Sequence, residues 1–327
     1  MADQPAKSRF RIFVTRPIVD GPFSQLENCD LEVWNGDAPP TYEQLTEKVR
    51  GLDGLICTIT DNIDDKLMSA AGPQLKVISN YGVGFNHIDV AAATKHGIKV
   101  GNTPDALTEA TADIAAGLIL MCARRLMESS LSIPKGEWKT WEPLGFLGHD
   151  LAGKTLGIVG MGRIGYALAR RFAKGWDMKV LYTSRSDKPD ADRDLGAKRV
   201  SLDELLAQSD VVSVHTNLSA ETKYLFDKSA FAKMKPSSIF INTARGSVHN
   251  QKDLYDALKN NVIASAGLDV TDPEPIPLDD PLLTLSNCVI LPHIGSATFE
   301  TRTRMTQIVV DNLKAGLAGQ KLPCAVN

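Results

Sequence analysis

TLGIVGMGRIG, residues Thr155–Gly165, decides how the rest of the chain is read. A short apolar run ends in three glycines spaced G-x-G-x-x-G (Gly160, Gly162, Gly165), and a helix opens behind them. In such a unit the first glycine permits a tight turn and the second lets backbone approach a pyrophosphate. The third allows close packing of helix on strand. The anion rests on N–H groups that the first helical turn leaves unbonded. Alone the spacing is a weak signal, because glycines also serve ordinary turns. Its surroundings make it a dinucleotide site.

Outward from this stretch, short apolar runs alternate with segments of helical period. After TLGIVG come KVLYT (Lys179–Thr183), VVSVH (Val211–His215), SIFIN (Ser238–Asn242), SAGLDV (Ser265–Val270) and CVILPH (Cys288–His293), which completes six strands. Earlier in the chain lie RIFVT (Arg11–Thr15), LEVW (Leu31–Trp34), GLICTI (Gly54–Ile59), LKVIS (Leu75–Ser79) and IKVG (Ile98–Gly101), with helices opening near Thr41, Asp64 and Asp89. This alternation argues for βαβ units and parallel sheets buried on both faces. A long apolar helix is expected over Ala112–Glu128, then a loop bearing Trp138 and Trp141. An amphipathic tail helix over Thr298–Leu317 returns to the first sheet. The fold class is α/β with two doubly wound domains and a cleft between them. Residues 1–103 and 297–327 form a flavodoxin-like substrate domain, and residues 104–296 a Rossmann dinucleotide-binding domain. Two crossings between domains make a hinge, and clefts between domains commonly take ligands.

Bulk properties narrow the function. A length of 327 residues suits two domains, and 43% apolar with 23% charged residues is an ordinary globular balance. A net charge of −3 offers no basic footprint for nucleic acid. Five scattered cysteines, with no CxxC pair, argue against a disulfide framework or a zinc site and for a reducing compartment. No metal site is expected. The start, MADQPAKSRF, lacks the apolar core of a signal peptide, and no apolar run is long enough to span a bilayer. The expectation is a cytoplasmic protein with no membrane partner.

LYTSRSDKPD (Leu181–Asp190) lies where a dinucleotide fold usually places an acid to accept hydrogen bonds from the adenosine ribose. That acid would repel a 2′-phosphate. Ser184, Arg185 and Ser186 stand there instead, offering hydroxyls and a guanidinium that suit a phosphate dianion. The cofactor expected is NADPH/NADP+, with NADH as the weaker alternative. Asp187, one residue further on, blurs this reading.

Further residues follow other strands, where ligands of open α/β sheets bind. Arg245 follows SIFIN, Asp269 ends SAGLDV with Glu274 in the Pro-bounded loop after it, and His293 follows the last strand. Singly, each has a duller reading as a surface ion pair, a solvated carboxylate or a structural histidine. Together they supply what reduction of a 2-oxo acid needs. An arginine grips a carboxylate with a forked pair of hydrogen bonds. A histidine gives and recovers a proton near neutrality. A carboxylate beside it favours the imidazolium and fixes the ring.

At these residues the chain resembles the D-isomer-specific 2-hydroxyacid dehydrogenase family, over nearly its whole length. NYGVGFNHIDV (Asn80–Val90) is similar to the family's substrate loop, GIVGMGRIG to its cofactor turn, and FINTARGSV, AGLDVTDPEP and LPHIGSAT to its Arg, Glu and His segments. The likeness is strongest to the branch that reduces glyoxylate and hydroxypyruvate, through WKTWEPLGF, GLDVTDPEPIP and LLTLSNCVILPHIGSAT. The resemblance implies that Val83 and Gly84 offer backbone N–H groups to the substrate carboxylate, in a loop shaped by Gly82. Arg245 binds carboxylate and ketone oxygen, and His293, supported by Glu274, is the acid. Asp269 holds the nicotinamide carboxamide, with Thr111, Gly295 and Ser296 near cofactor or substrate. Gly160, Gly162, Arg163, Ile164, Thr243 and Ala244 fall in the cofactor segments, and His215, Asn217 and Leu218 border the adenosine side. It also implies a homodimer in which Trp141 borders the partner's substrate site.

The implied reaction is reduction of glyoxylate to glycolate or hydroxypyruvate to D-glycerate by hydride transfer. Two rivals stand beside it. One is another D-2-hydroxyacid dehydrogenase, of D-lactate, aryl-lactate or phosphoglycerate type. The other is a non-catalytic, dinucleotide-sensing scaffold like the family's corepressors, which usually carry extensions that this chain lacks.

Overall fold

Strands β1 (Phe10–Val14), β2 (Cys29–Val33), β3 (Gly54–Cys57), β4 (Val77–Asn80) and β5 (Lys99–Gly101) pair in parallel in the order β2-β1-β3-β4-β5. The computed structural model describes residues 9–327. Met1–Ser8, part of the start read above for a signal peptide, lie outside the described residues. The first unit takes the described residues up to Leu107 together with Ala297–Asn327, and the second is Thr108–Ser296.

In the first unit, every residue of β3 and β4 is buried, which explains the unbroken apolar run of β3 and leaves Ser79 and Asn80 of β4 in need of partners. Its helices start where a short polar side chain can cap them. Thr41, Asp64 and Asp89 accept hydrogen bonds from the backbone N–H of Gln44, Leu67 and Ala92, giving otherwise orphaned donors a partner. The C-terminal helix, Phe299–Leu317, buries Met305, Val309, Val310 and Leu313 among Ile12, Val14, Ile56 and Val77 of the sheet. Gly316 is required at that contact, since a Cβ there would come within 2.5 Å of the Val77 side chain.

The second unit holds β6 (Thr155–Val159), β7 (Lys179–Thr183), β8 (Lys198–Arg199), β9 (Val211–Val214), β10 (Ile239–Asn242), β11 (Ser265–Leu268) and β12 (Cys288–Ile290). Their parallel order is β12-β11-β10-β9-β6-β7-β8. The chain winds outward one way from β6 through β7 and the other way from β9, so β6 and β9 flank a topological switch point. Ligands bind beyond the carboxyl ends of strands at such a point. Six strands were expected and seven form. The extra one, β8, has two exposed basic residues and no apolar signature.

The helix expected over Ala112–Glu128 is two. Thr108–Ala123 buries Ala112, Ala115, Leu118 and Ile119 in the core of the second unit. Arg125 then takes a left-handed conformation (φ 51°) and a separate helix runs over Leu126–Ser132. The break is a tertiary effect: His149 N–H donates to Ala123 O at 2.8 Å, using a carbonyl the helix needs to continue. Arg125 is held by an ion pair to Glu128 (2.6 Å) and lies over the Phe146 ring. Beyond the break Leu126, Leu131, Ile133, Trp138, Trp141, Leu144 and Leu147 are exposed. No helix among the described residues is long and apolar enough to cross a membrane.

Candidate active site

The glycine turn has the shape its sequence implies. Gly160 has φ 101°, and a Cβ on it would meet the His215 backbone at 2.7 Å. On Gly165 a Cβ would lie 2.4 Å from Gly160 O. Gly162 is the N-cap of the helix Arg163–Gly175, with no side chain to occupy the free N–H groups. Its missing Cβ faces open space, with no atom within 4 Å. A 13-residue helix therefore presents open donors and its positive dipole end beside a backbone that nothing crowds. Ile164 packs part-buried on the core, setting the helix against the sheet. Nearby, loss of water pushes the His215 imidazole down to about 3, and Ser213 Oγ lies 2.9 Å from its Nε2. Asn217 O accepts a hydrogen bond from Thr222 Oγ1 at 2.6 Å. Thr243 Oγ1 is buried with no hydrogen-bond partner among the described residues, an atom a bound dinucleotide would satisfy. These features fit a pyrophosphate-bearing cofactor.

Beyond β7 the loop is built rather than loose. Ser184 Oγ donates to Ser186 O at 2.6 Å, and the Tyr182 hydroxyl accepts from Lys188 N–H at 3.0 Å. Arg185 and Ser186 are exposed. Arg199, from β8, donates to Ser184 O at 2.8 Å and pairs with Asp187 at 2.7 Å.

Three successive strand-end loops, after β10, β11 and β12, are tied together. Asn242, the fully buried last residue of β10, holds the loop that carries Arg245. Its amide donates to Arg245 O (2.9 Å) and to His249 Nδ1 (3.0 Å), and its Oδ1 accepts from Ala244 N–H (2.9 Å). Gly246 passes so close to the next loop that a Cβ would sit 1.9 Å from Thr271 O. Ser247 Oγ then donates to Asp272 Oδ2 at 2.6 Å, two residues before Glu274. Asp269 draws in the third loop, accepting from the N–H groups of Ile294 and Gly295 at 2.8 Å each. Thr111 Oγ1 donates to Gly295 O at 3.1 Å, so Thr111 and Ser296 belong to the same neighbourhood.

Within this frame His293 Nδ1 hydrogen-bonds Glu274 Oε1. That partnership fixes the ring through Nδ1 and leaves Nε2 outside the pair. His293 has φ 54°, a left-handed backbone that a non-glycine residue adopts only when its surroundings impose it. Burial pulls the Arg245 guanidinium below its ordinary value, and the Glu274 carboxylate opposes that pull. Burial likewise raises the Asp269 carboxyl, against the two N–H donors and the His293 charge.

In the first unit, Asn80 closes β4 as Asn242 closes β10. Its Nδ2 donates to Gly82 O (3.1 Å) and Gly84 O (2.9 Å). Thr103 N–H also reaches Gly82 O, and Asn102 Nδ2 reaches Val83 O at 2.8 Å. A trans peptide sets its N–H opposite its carbonyl. Holding the carbonyls of Gly82 and Val83 therefore turns the N–H groups of Val83 and Gly84 the other way. Gly82 was expected to shape this loop through backbone freedom. It lies outside the left-handed region and has ordinary room for a Cβ, so the asparagines do that work. Trp141 is 79% exposed in the loop after the broken helix.

Sequence reading missed Asn80, Asn102, Asn242 and Arg199. A signal existed for two: an asparagine closing a strand that opens Val-Ile or Ile-Phe-Ile is a buried amide that must find partners.

Residues 116–295 match the profile of the D-isomer specific 2-hydroxyacid dehydrogenase, NAD binding domain. Over 319 residues the chain is 46% identical to a glyoxylate reductase of Korarchaeum cryptofilum, covering 97% of this chain and 96% of that one. Over 316 residues it is 45% identical to the glyoxylate reductase/hydroxypyruvate reductase of Homo sapiens, covering 96% of each. Among solved structures, it superposes with TM-score 0.85 on an NADPH-dependent glyoxylate/hydroxypyruvate reductase from Sinorhizobium meliloti in complex with NADP and malonate, at 33% identity, covering 98% of this chain and 97% of that one.

Proposed function

The chain belongs to the D-isomer specific 2-hydroxyacid dehydrogenase family, and on that premise we propose that it is an NADPH-preferring reductase of small 2-oxo acids, glyoxylate and hydroxypyruvate. The observation that carries this reading is the His293–Glu274 pair in the loops after β12 and β11, beside the half-buried Arg245.

Gly160, Gly162, Arg163 and Ile164 hold the cofactor's pyrophosphate at the helix N-terminus, and Ser184, Arg185 and Ser186 take a 2′-phosphate. His215 and Asn217 border the adenosine side. Thr111, Thr243, Ala244, Asp269 and Gly295 line the nicotinamide side. When bound, the cofactor supplies the hydride that reduces the carbonyl carbon. Arg245 grips the substrate carboxylate with part of its fork and the ketone oxygen with the rest. Val83 and Gly84 add N–H donors to that carboxylate. Ser296 borders the substrate.

As negative charge develops on the ketone oxygen, Arg245 stabilises it and His293 Nε2 delivers a proton, giving the 2-hydroxy acid. Glu274 keeps the imidazole oriented and balances its charge. In the reverse direction His293 takes the proton from the hydroxyl. The exposed apolar run from Leu126 to Leu147 supports a homodimer, in which Trp141 limits the substrate room of the partner copy.

The test follows nicotinamide absorbance with NADPH or NADH against glyoxylate, hydroxypyruvate, pyruvate and phenylpyruvate. Fast turnover is expected for NADPH with the first two. Faster turnover with NADH would end the cofactor preference and leave the dehydrogenase. Tight cofactor binding with no turnover of any acid would overturn the reductase.

A further inference from the structure

We propose that Arg199 on the edge strand β8 sets cofactor selectivity by removing Asp187 from the ribose-reading position, leaving Ser184, Arg185 and Ser186 to receive a 2′-phosphate. The inference rests on the NADPH reading above and deepens it.

A carboxylate just beyond the second strand of a dinucleotide sheet accepts hydrogen bonds from the ribose diol and repels a phosphate there. This loop contains one, Asp187, four residues beyond the end of β7. Unpaired, it would offset the positive charge of Arg185. Arg199 pairs with it through Nη1 at 2.7 Å. The same guanidinium donates through Nε and Nη2 to Ser184 O, at 3.2 and 2.8 Å, and through Nη2 to Arg185 O at 3.3 Å. One planar fork thus moors the carboxylate and the carbonyls of the two residues that would face the phosphate. A lysine ammonium, a point charge on a flexible stem, lacks this geometry.

Each of the three guanidinium nitrogens of Arg199 already donates to the protein. Its role is therefore to position Asp187 and the loop, whereas Arg185, exposed, is the cation left for a ligand. Another charge near Arg185 is Glu221, whose carboxyl is lowered mainly by a Ser219 hydrogen bond and least by Arg185. Glu221 Oε2 is held by Ser219 Oγ at 2.6 Å, so Asp187 is the carboxylate that Arg199 controls. The Arg199 and Asp187 side chains are 41% and 73% exposed, and such a pair adds little to stability. Its effect is expected in selectivity, with the melting temperature nearly unchanged.

The experiment is a double-mutant cycle on the full chain: wild type, Arg199→Gln, Asp187→Asn and the double variant, with Arg199→Lys alongside. Each is scored by the ratio of kcat/KM for NADPH to that for NADH, with glyoxylate as acceptor. Arg199→Gln is expected to lower the ratio about tenfold, through KM for NADPH with kcat held. Asp187→Asn alone should leave the ratio within about twofold, and adding it to Arg199→Gln should restore most of the loss. Arg199→Lys should fall between wild type and Arg199→Gln. An unchanged ratio in Arg199→Gln overturns the inference. So does a loss that Asp187→Asn fails to restore, because Arg199 would then act on the phosphate directly or only on loop shape. A wild type that favours NADH sinks the NADPH reading itself, and that single ratio is read before any variant.

Discussion

Asn80 and Asn242 each end a buried strand, and each turns its amide onto the loop that follows. Asn80 holds the carbonyls around Val83, while Asn242 holds the backbone on either side of Arg245. Neither needs to touch substrate, and both aim groups that are proposed to do so. His293 differs in kind, since its ring is the proposed proton donor. The two roles should separate in kinetics. His293→Ala is expected to lower kcat by a factor on the order of 10² to 10⁴, the usual range for a lost general acid. Asn80→Ala should mainly raise KM for the oxo acid, by about tenfold, with KM for NADPH unchanged. Steady-state assays varying each substrate in turn read both. Near-normal turnover in His293→Ala would remove it from the role of acid.

Helices in this chain obey their caps more than their apolar content. Thr298 opens the C-terminal helix by accepting from Thr301 N–H at 3.1 Å. Thr298→Ala should cost about 1 kcal/mol, while Thr298→Ser should cost little. Chemical denaturation of the three proteins measures the difference, and equal midpoints would refute the cap. The broken helix makes the converse point. Residues 114–123 are an unbroken apolar run containing one glycine, Gly117, which does not mark the break. His149, over twenty residues further on, takes the Ala123 carbonyl and ends the helix. No local propensity encodes that contact. The exposed apolar surface consequently lies on the segment after the break, and the residues before it are core.

Across the whole molecule, stability should depend on pH through a buried histidine. His249 is fully buried, accepts from Asn242 at Nδ1, and is pushed down by burial from 6.5 to about 4. Between those values the unfolded chain takes up a proton that the folded chain refuses. Stability therefore falls as the solution is acidified from pH 6.5 toward 4, by a total on the order of 3 kcal/mol. Asp210 works in a lower window: its carboxyl is held down by Lys235 and the Thr155 N–H despite the cost of burial, so its contribution is lost only below the ordinary carboxylate value. Denaturant midpoints at pH 7, 5.5 and 4.5 should fall in wild type and fall less in His249→Gln. Parallel curves would show that the burial of this imidazole does not govern the acid limb.

By itself the sequence determined the α/β class, the glycine turn, the first-unit helix caps and the strand ends bearing Arg245, Asp269 and His293. These are legible because period, capping and turn chemistry act over a few residues, and because apolar strands buried on both faces leave continuous runs. Only the tertiary structure decided the rest. An arginine on a two-residue strand pairs with Asp187 in another loop. Three loops become one frame because Gly246 lets backbone touch backbone and Asp269 gathers two N–H groups. Each of these is a contact between residues far apart in the chain, made when buried polar groups and close-packed surfaces must find partners. No short-range pattern carries that requirement.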